Sequence, residues 1–255
     1  MLKVLSQFSF FNGALVLTIA LLLLGNTILV SQNPSTSCAL TSPRSKSDSN
    51  NFVVQINMGP AIPLLNLTSP VYQSYNLDQK FRTGFASPGF VLNLSASYFL
   101  KPDWGFAFKF ADAQLPFNNA SFLTNKLVSG DTITNPHGAT HNLNAFLLGL
   151  VIRMPQGLAS LYPRYSIQAY AVAGIMNFQY GAITYDQSTM HVSLPSLASN
   201  SMAISTGLTA CYKIQKYIHL TLNLDILAGN AKFPDQTTMS YSVFTTDLGL
   251  LIYLN

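Results

Sequence analysis

The chain has 255 residues, a formal net charge of +4 and a mean hydropathy of +0.29, and only 9% of its residues are charged, against roughly a quarter in ordinary soluble domains. All nine acidic residues are Asp, which excludes chemistry that needs Glu, the EF-hand calcium loop included. The thirteen Lys and Arg form no run or stripe, so no nucleic-acid partner is expected.

At the N-terminus, Lys3 is followed by an almost unbroken apolar run from Phe8 to Val30. Residues 1–31 read as a secretory signal helix, cleaved after Ser31 or as late as Ala39; the rival is an uncleaved anchor, since about 20 apolar residues can span a bilayer. Residues 32–50 are rich in Ser, Asn, Pro and Thr and read as a flexible leader. Cys38 and Cys211 are the only cysteines, so a disulfide framework is not expected.

From residue 51 to 255 apolar residues recur with period two, the signal of strands. Phe52, Val54, Ile56 and Met58 alternate with Val53, Gln55 and Asn57 in the first strand, and Phe90, Leu92, Leu94, Ala96 and Tyr98 with Val91, Asn93, Ser95, Ser97 and Phe99 in the second. In the third, Trp104, Phe106, Phe108 and Phe110 oppose Gly105, Ala107, Lys109 and Ala111. The fourth sets Phe146, Leu148, Leu150 and Ile152 against Gly149 and Arg153. For the fifth, the Tyr170 to Tyr180 series is expected outside and Ala169, Ala171 and Ala173 inside. The sixth runs from Met202 to Tyr212, with Ser205, Gly207, Thr209 and Cys211 inward. Ile218, Leu220, Leu222, Leu224 and Ile226 oppose His219, Thr221, Asn223 and Asp225 in the seventh. The eighth opposes Phe244, Leu248, Leu250, Ile252 and Leu254 to Thr245, Asp247, Gly249 and Tyr253.

Connections alternate in length. Leu100–Asp103, the stretch from Pro155 to Pro163, and Lys213–Lys216 are short, whereas 59–88, 112–141, 181–200 and 228–240 are long and polar. Such asymmetry belongs to barrels of the outer-membrane kind. Alternation alone also fits a soluble sandwich, but the faces opposite the apolar ones are small and weakly polar instead of densely charged. An even number of strands, eight, can close and satisfy every backbone group in lipid.

The apolar N-terminal run, the hairpin Tyr98 to Trp104, the segment Phe146–Val151, the pair Ala173–Gly174 and the terminal run Asp247–Leu254 resemble the small bacterial outer-membrane β-barrel proteins of the OmpA/OmpX/OmpW-like set. The expected fold is therefore all-β, an eight-stranded antiparallel up-and-down transmembrane barrel behind an N-terminal signal helix. The resemblance implies residence in the bacterial outer membrane, contact with its lipid, insertion by the barrel insertion machinery, and surface ligands held through loops 59–88 and 112–141.

Candidate chemistry is sparse. His137 and His141 form an H-x-x-x-H without a third ligand, so no metal or other cofactor is expected. His191 and Ser193 resemble the His-x-Ser of a lipid A deacylase barrel, but the Glu that such a site would want is missing, and no enzyme is expected. Lys109, Arg153, His219, Asp225 and Asp247 fall on the inward faces and are expected to form a charge network plugging the lumen, with Asp225 and Asp247 sharing a cationic partner. Tyr98, Trp104, Tyr165, Tyr212, Tyr217 and Tyr253 flank the short turns and are expected to form an interfacial girdle. A structural or surface-interaction role follows. The alternatives are a narrow pore or transporter for small or hydrophobic solutes, and a lipid-modifying barrel.

Overall fold

The computed structural model describes residues 52–64, 67–68, 85–128, 133–153, 164–187, 189–234 and 238–254. The expected signal helix, the leader and the Pro155–Pro163 connection lie outside these residues.

Eight long strands close into an antiparallel barrel. They are β1 (Phe52–Leu64), β2 (Gly89–Lys101), β3 (Trp104–Leu115), β5 (His141–Arg153), β6 (Tyr165–Tyr180), β9 (Leu197–Lys213), β10 (Ile218–Lys232) and β11 (Thr238–Leu254), joined in that order, with β11 returning to β1. Between them lie one helix, α1 (Asn119–Val128), and the short strands β4 (Ile133–Gly138), β7 (Ile183–Gln187) and β8 (Met190–Leu194). These short strands pair as a separate sheet in the order β4-β7-β8. Among the described residues no helix is long and apolar enough to cross a membrane.

The alternation of side chains sets which face is which. On β3, Phe106 and Phe108 stand exposed while Gly105, Ala107, Lys109 and Ala111 are buried. On β10, Leu220, Leu222 and Leu224 are exposed while Thr221, Asn223 and Asp225 are buried. The sixteen-residue β6 reverses the expectation. Val172, Met176, Phe178 and Tyr180 are buried, and Ala171 and Ala173 are exposed on the outside. The large residues fill the lumen, and Ile167 and Ile175 carry the outer apolar face instead. Tyr170 crosses inward over β9 at Gly207, where an added Cβ would lie 2.5 Å from the tyrosine Oη.

The strands also reach further than expected into the long connections. β10 continues to Lys232 and β11 begins at Thr238, leaving five residues, 233–237, where a long loop was expected over 228–240. The closing seam is interrupted. β1 and β11 pair from Phe52↔Leu254 to Met58↔Leu248 and resume at Ala61↔Thr245, across Pro60, which has no N–H to give to the ladder. Gly59 comes so close to β11 there that a Cβ would sit 2.2 Å from the Thr246 carbonyl oxygen.

At the long-loop end, α1 and the short-strand sheet cap the barrel. Asn118 starts α1, its Oδ1 accepting from the Ser121 N–H at 2.9 Å, an N-cap bond. Phe122 then packs against Phe85, Phe117 and Tyr185 at centroid distances of 5.3, 5.5 and 5.6 Å.

Candidate functional site

The lumen has three tiers. In the middle tier, Lys109 Nζ donates to Asp225 Oδ2, to Ser205 Oγ at 3.0 Å and to Tyr170 Oη at 3.3 Å. Ser205 Oγ in turn donates to Asp225 Oδ1 at 2.7 Å. Asp247 is held by uncharged donors. Its Oδ2 accepts from Asn93 Nδ2, and from Asn223 Nδ2 and Thr245 Oγ1, each at 3.2 Å. Asn223 Oδ1 accepts from Thr209 Oγ1 at 3.0 Å and Tyr170 Oη at 3.3 Å, and Thr221 Oγ1 donates to Asn57 Oδ1 at 2.8 Å.

The expectation that both Asp residues share one cationic partner is therefore corrected. Lys109 contacts Asp225, and amides and a hydroxyl take the place of a cation at Asp247. The reason lies in chain position: Asn223 is the register partner of Asp247 on β10, and Asn93 on β2 reaches the same carboxylate across β1. A cavity of about 30 Å³ lies within this tier, lined by Gln55, Asn57, Asn93, Lys109, Tyr170 and Asn223 among others. It has room for one or two waters.

The expected five-residue network is divided. Arg153 and His219 sit in the lower tier, toward the short turns, and make no ion pair or hydrogen bond with Lys109, Asp225 or Asp247 among the described residues. The Arg153 guanidinium stacks on Phe99 at 3.4 Å and lies 5.5 Å from the Tyr253 ring, and His219 packs on that same ring at 4.8 Å. Tyr253 is thus a lumen residue, which corrects its expected place in the girdle; its position in the alternation, between outward Ile252 and Leu254, turns it inward. Cys211 is buried on the same inward face.

The upper tier is apolar and aromatic. Leu115, Leu143, Met176, Phe178, Phe233, Met239 and Tyr241 are all fully buried, with the Phe178 and Tyr241 rings stacked 5.8 Å apart at 7°. His141 belongs to this tier. It is fully buried, accepts from the Gly181 N–H at Nδ1 (3.0 Å), and lies 4.7 Å from the Tyr180 ring. His137 is exposed on β4, so the two histidines of the H-x-x-x-H do not face one site. Sequence reasoning missed this tier, although the breadth of the Tyr170–Tyr180 series against three alanines is the signal that could have found it.

In the cap, His191 Nδ1 lies 2.8 Å from Asp186 Oδ1, and Asn135 Nδ2 donates to Asp186 Oδ2 at 3.0 Å. The bond to His191, and then that to Asn135, hold the exposed Asp186 carboxyl below its usual range.

Outside, the faces form an apolar belt. Leu148, Ile175 and Met202 are each more than 60% exposed, and a continuous surface of this kind on a soluble monomer would exceed the usual apolar patch many times. The belt ends upward in a register-aligned row, Asp112↔Asn144↔Asn177↔Asn200. The nine residues Trp104–Asp112 match the 9–11 that a tilted strand needs to cross a bilayer. At the other end stand Tyr98, Trp104, Tyr165 and Tyr212 on the outer face, with Tyr217 in the β9–β10 turn; the Tyr165 and Tyr212 rings are 5.1 Å apart.

The chain is a closed eight-stranded antiparallel β-barrel with an apolar outer belt. No family model matches it, and no curated protein does. Among solved structures it is similar to Neisserial surface protein A, NspA (13% identity, TM-score 0.44, covering 80% of this chain and 97% of that one). It is similar also to Ail, the attachment invasion locus protein of Yersinia pestis (17%, 0.41, 79% and 98%), and to the outer membrane protease OmpT from Escherichia coli (8%, 0.43, 80% and 97%). At these identities the likenesses lend this barrel no activity, ligand or partner.

Proposed function

We propose that this barrel resides in the bacterial outer membrane as a closed scaffold, without enzyme chemistry, whose capped long-loop end is its contact surface. Lipid covers the belt, the barrel insertion machinery assembles it, and surface ligands meet the cap through the segments 59–88 and 112–141. One observation carries the closed lumen: the stacked Phe178–Tyr241 pair and its apolar neighbours lie across the upper tier, above a cavity that holds no more than a water or two.

The polar middle tier favours a second reading, a narrow conduit for small solutes. Planar-bilayer recording separates the two. The closed scaffold stays silent at all voltages, and discrete conductance steps from the full chain would overturn it. Lipid A mass spectrometry with and without expression tests the lipid-modifying alternative, for which an unchanged spectrum is expected.

A further inference from the structure

The lower lumen holds hydrogen-bond donors that have no acceptors. Arg153 stacks its guanidinium face on Phe99, which engages the plane and leaves the in-plane N–H groups to bond elsewhere. Nε and Nη2 are buried and make no hydrogen bond. These two nitrogens lie along one side of the guanidinium, the fork that grips a carboxylate or phosphate through two parallel bonds. Gln168 is the register partner of Arg153 across the β5–β6 ladder, so both side chains stand on the same inward face. Gln168 is 4% exposed, and its Nε2 is likewise buried without a partner. The Nδ1 of His219, whose ring packs on Tyr253, is a further buried nitrogen without a partner.

Among the described residues no carboxylate answers these donors. The ion pairs among the described residues join Lys109 to Asp225 and His191 to Asp186. Asp103 accepts at its backbone carbonyl from the Arg153 N–H at 2.8 Å, and its own side chain belongs to the exposed turn and makes no ion pair with the guanidinium among the described residues. A buried donor without an acceptor has given up its hydration for nothing, the more so when charged, so the oxygens of an anion would supply the bonds these groups lack. The mouth on this side is reachable, because Arg153 as a residue is partly exposed even though its fork edge is not.

We propose that Arg153 and Gln168 form a receptor for one oxyanion, a carboxylate or phosphate group, that enters the lumen from the short-turn end. The group could be a free ion or the phosphate of an anionic lipid, since both present the same oxygens. The full chain, folded in a phosphate-free maltoside detergent at constant ionic strength, is titrated with sodium phosphate, sodium acetate and sodium chloride while thermal unfolding is followed. In parallel it is placed in nanodiscs of phosphatidylcholine with and without phosphatidylglycerol. A saturable upward shift with phosphate or acetate, absent with chloride, identifies a soluble oxyanion. A shift only with phosphatidylglycerol identifies the lipid source.

In either case Arg153→Lys, which keeps the charge and removes the fork, weakens the apparent Kd at least tenfold, and Gln168→Leu weakens it several-fold. The proposal is overturned by the lack of any saturable shift in the wild type, by equal shifts with chloride, or by an Arg153→Lys variant that binds as well as wild type. Should Arg153→Lys fail to fold, Gln168→Leu decides alone, and unaltered binding by it would also overturn the receptor.

Discussion

Replacing Lys109 with Met removes the cation from the middle of the lumen and leaves the Asp225 carboxylate enclosed. The two side chains are 4% and 2% exposed, and breaking a buried pair from one side costs about 3–5 kcal/mol. Ser205 continues to donate to Asp225 at 2.7 Å, and the adjoining cavity can admit a water. Both place the cost at the lower end, about 3 kcal/mol. At a urea dependence of about 2 kcal/mol per molar, the unfolding midpoint falls by about 1.5 M. Removing both charges, with Lys109→Met and Asp225→Leu together, eliminates the enclosed ion and returns the midpoint to within about 1 kcal/mol of wild type. Urea unfolding in vesicles, followed by Trp104 fluorescence and by heat-modifiable migration on gels, measures all four corners of the cycle. A Lys109→Met midpoint equal to wild type, or a double variant as unstable as the single, would refute the reasoning.

Asp247→Asn leaves a neutral oxygen to accept from Asn93, Asn223 and Thr245 and buries an amide NH2 where Oδ1 has no partner, and a loss of about 1–3 kcal/mol in the same unfolding assay is expected. Because the Asp186 carboxyl is held below its usual range, its pairing stabilises the cap above the unfolded value of about 4, and this is lost as pH falls through the lower folded value. Protection over 183–194, taken relative to the intrinsic exchange rate at each pH, should therefore fall below about pH 4 in wild type, and that fall should shrink in His191→Ala. Phe178→Ala with Tyr241→Ala removes the stacked pair across the upper lumen at a cost of about 3–5 kcal/mol for each ring. The variant that still folds should conduct in planar bilayers where the parent is silent, and silence in it would place the barrier elsewhere.

Period-two patterning was enough to locate eight strands, because a strand wetted by lipid on one face alternates strictly, as Leu220, Leu222 and Leu224 do beside Thr221, Asn223 and Asp225. It failed on β6, where both faces are apolar and hydropathy no longer distinguishes lipid from lumen: Val172, Met176 and Phe178 point inward and Ile167 and Ile175 outward. Alternation also fixes a side chain's face without its partner. Lys109 and Asp225 are 116 positions apart, and nothing local in either strand says that this Asp, and not Asp247, meets the amine. The separation of Arg153 and His219 from that pair depends on strand stagger, which only the closed register defines. The cap was hidden for a different reason, since β4, β7 and β8 are five or six residues long and lie within stretches rich in turn formers.

The gap that Gly59 and Pro60 leave in the β1–β11 ladder coincides with the place where Asp247 meets Asn93. β1 stands between β2 and β11, so the bond from Asn93 to Asp247 passes over β1 on the lumen side, opposite the two positions where backbone pairing lapses. The second and last strands of the barrel are thereby joined from within across the first, beside the rows where its main chain does not pair with β11. At the two unpaired rows this carboxylate adds a side-chain tie to a seam that backbone pairing holds on either side, and amide exchange along β11 around Thr246 becomes a direct gauge of whether that tie is fastened.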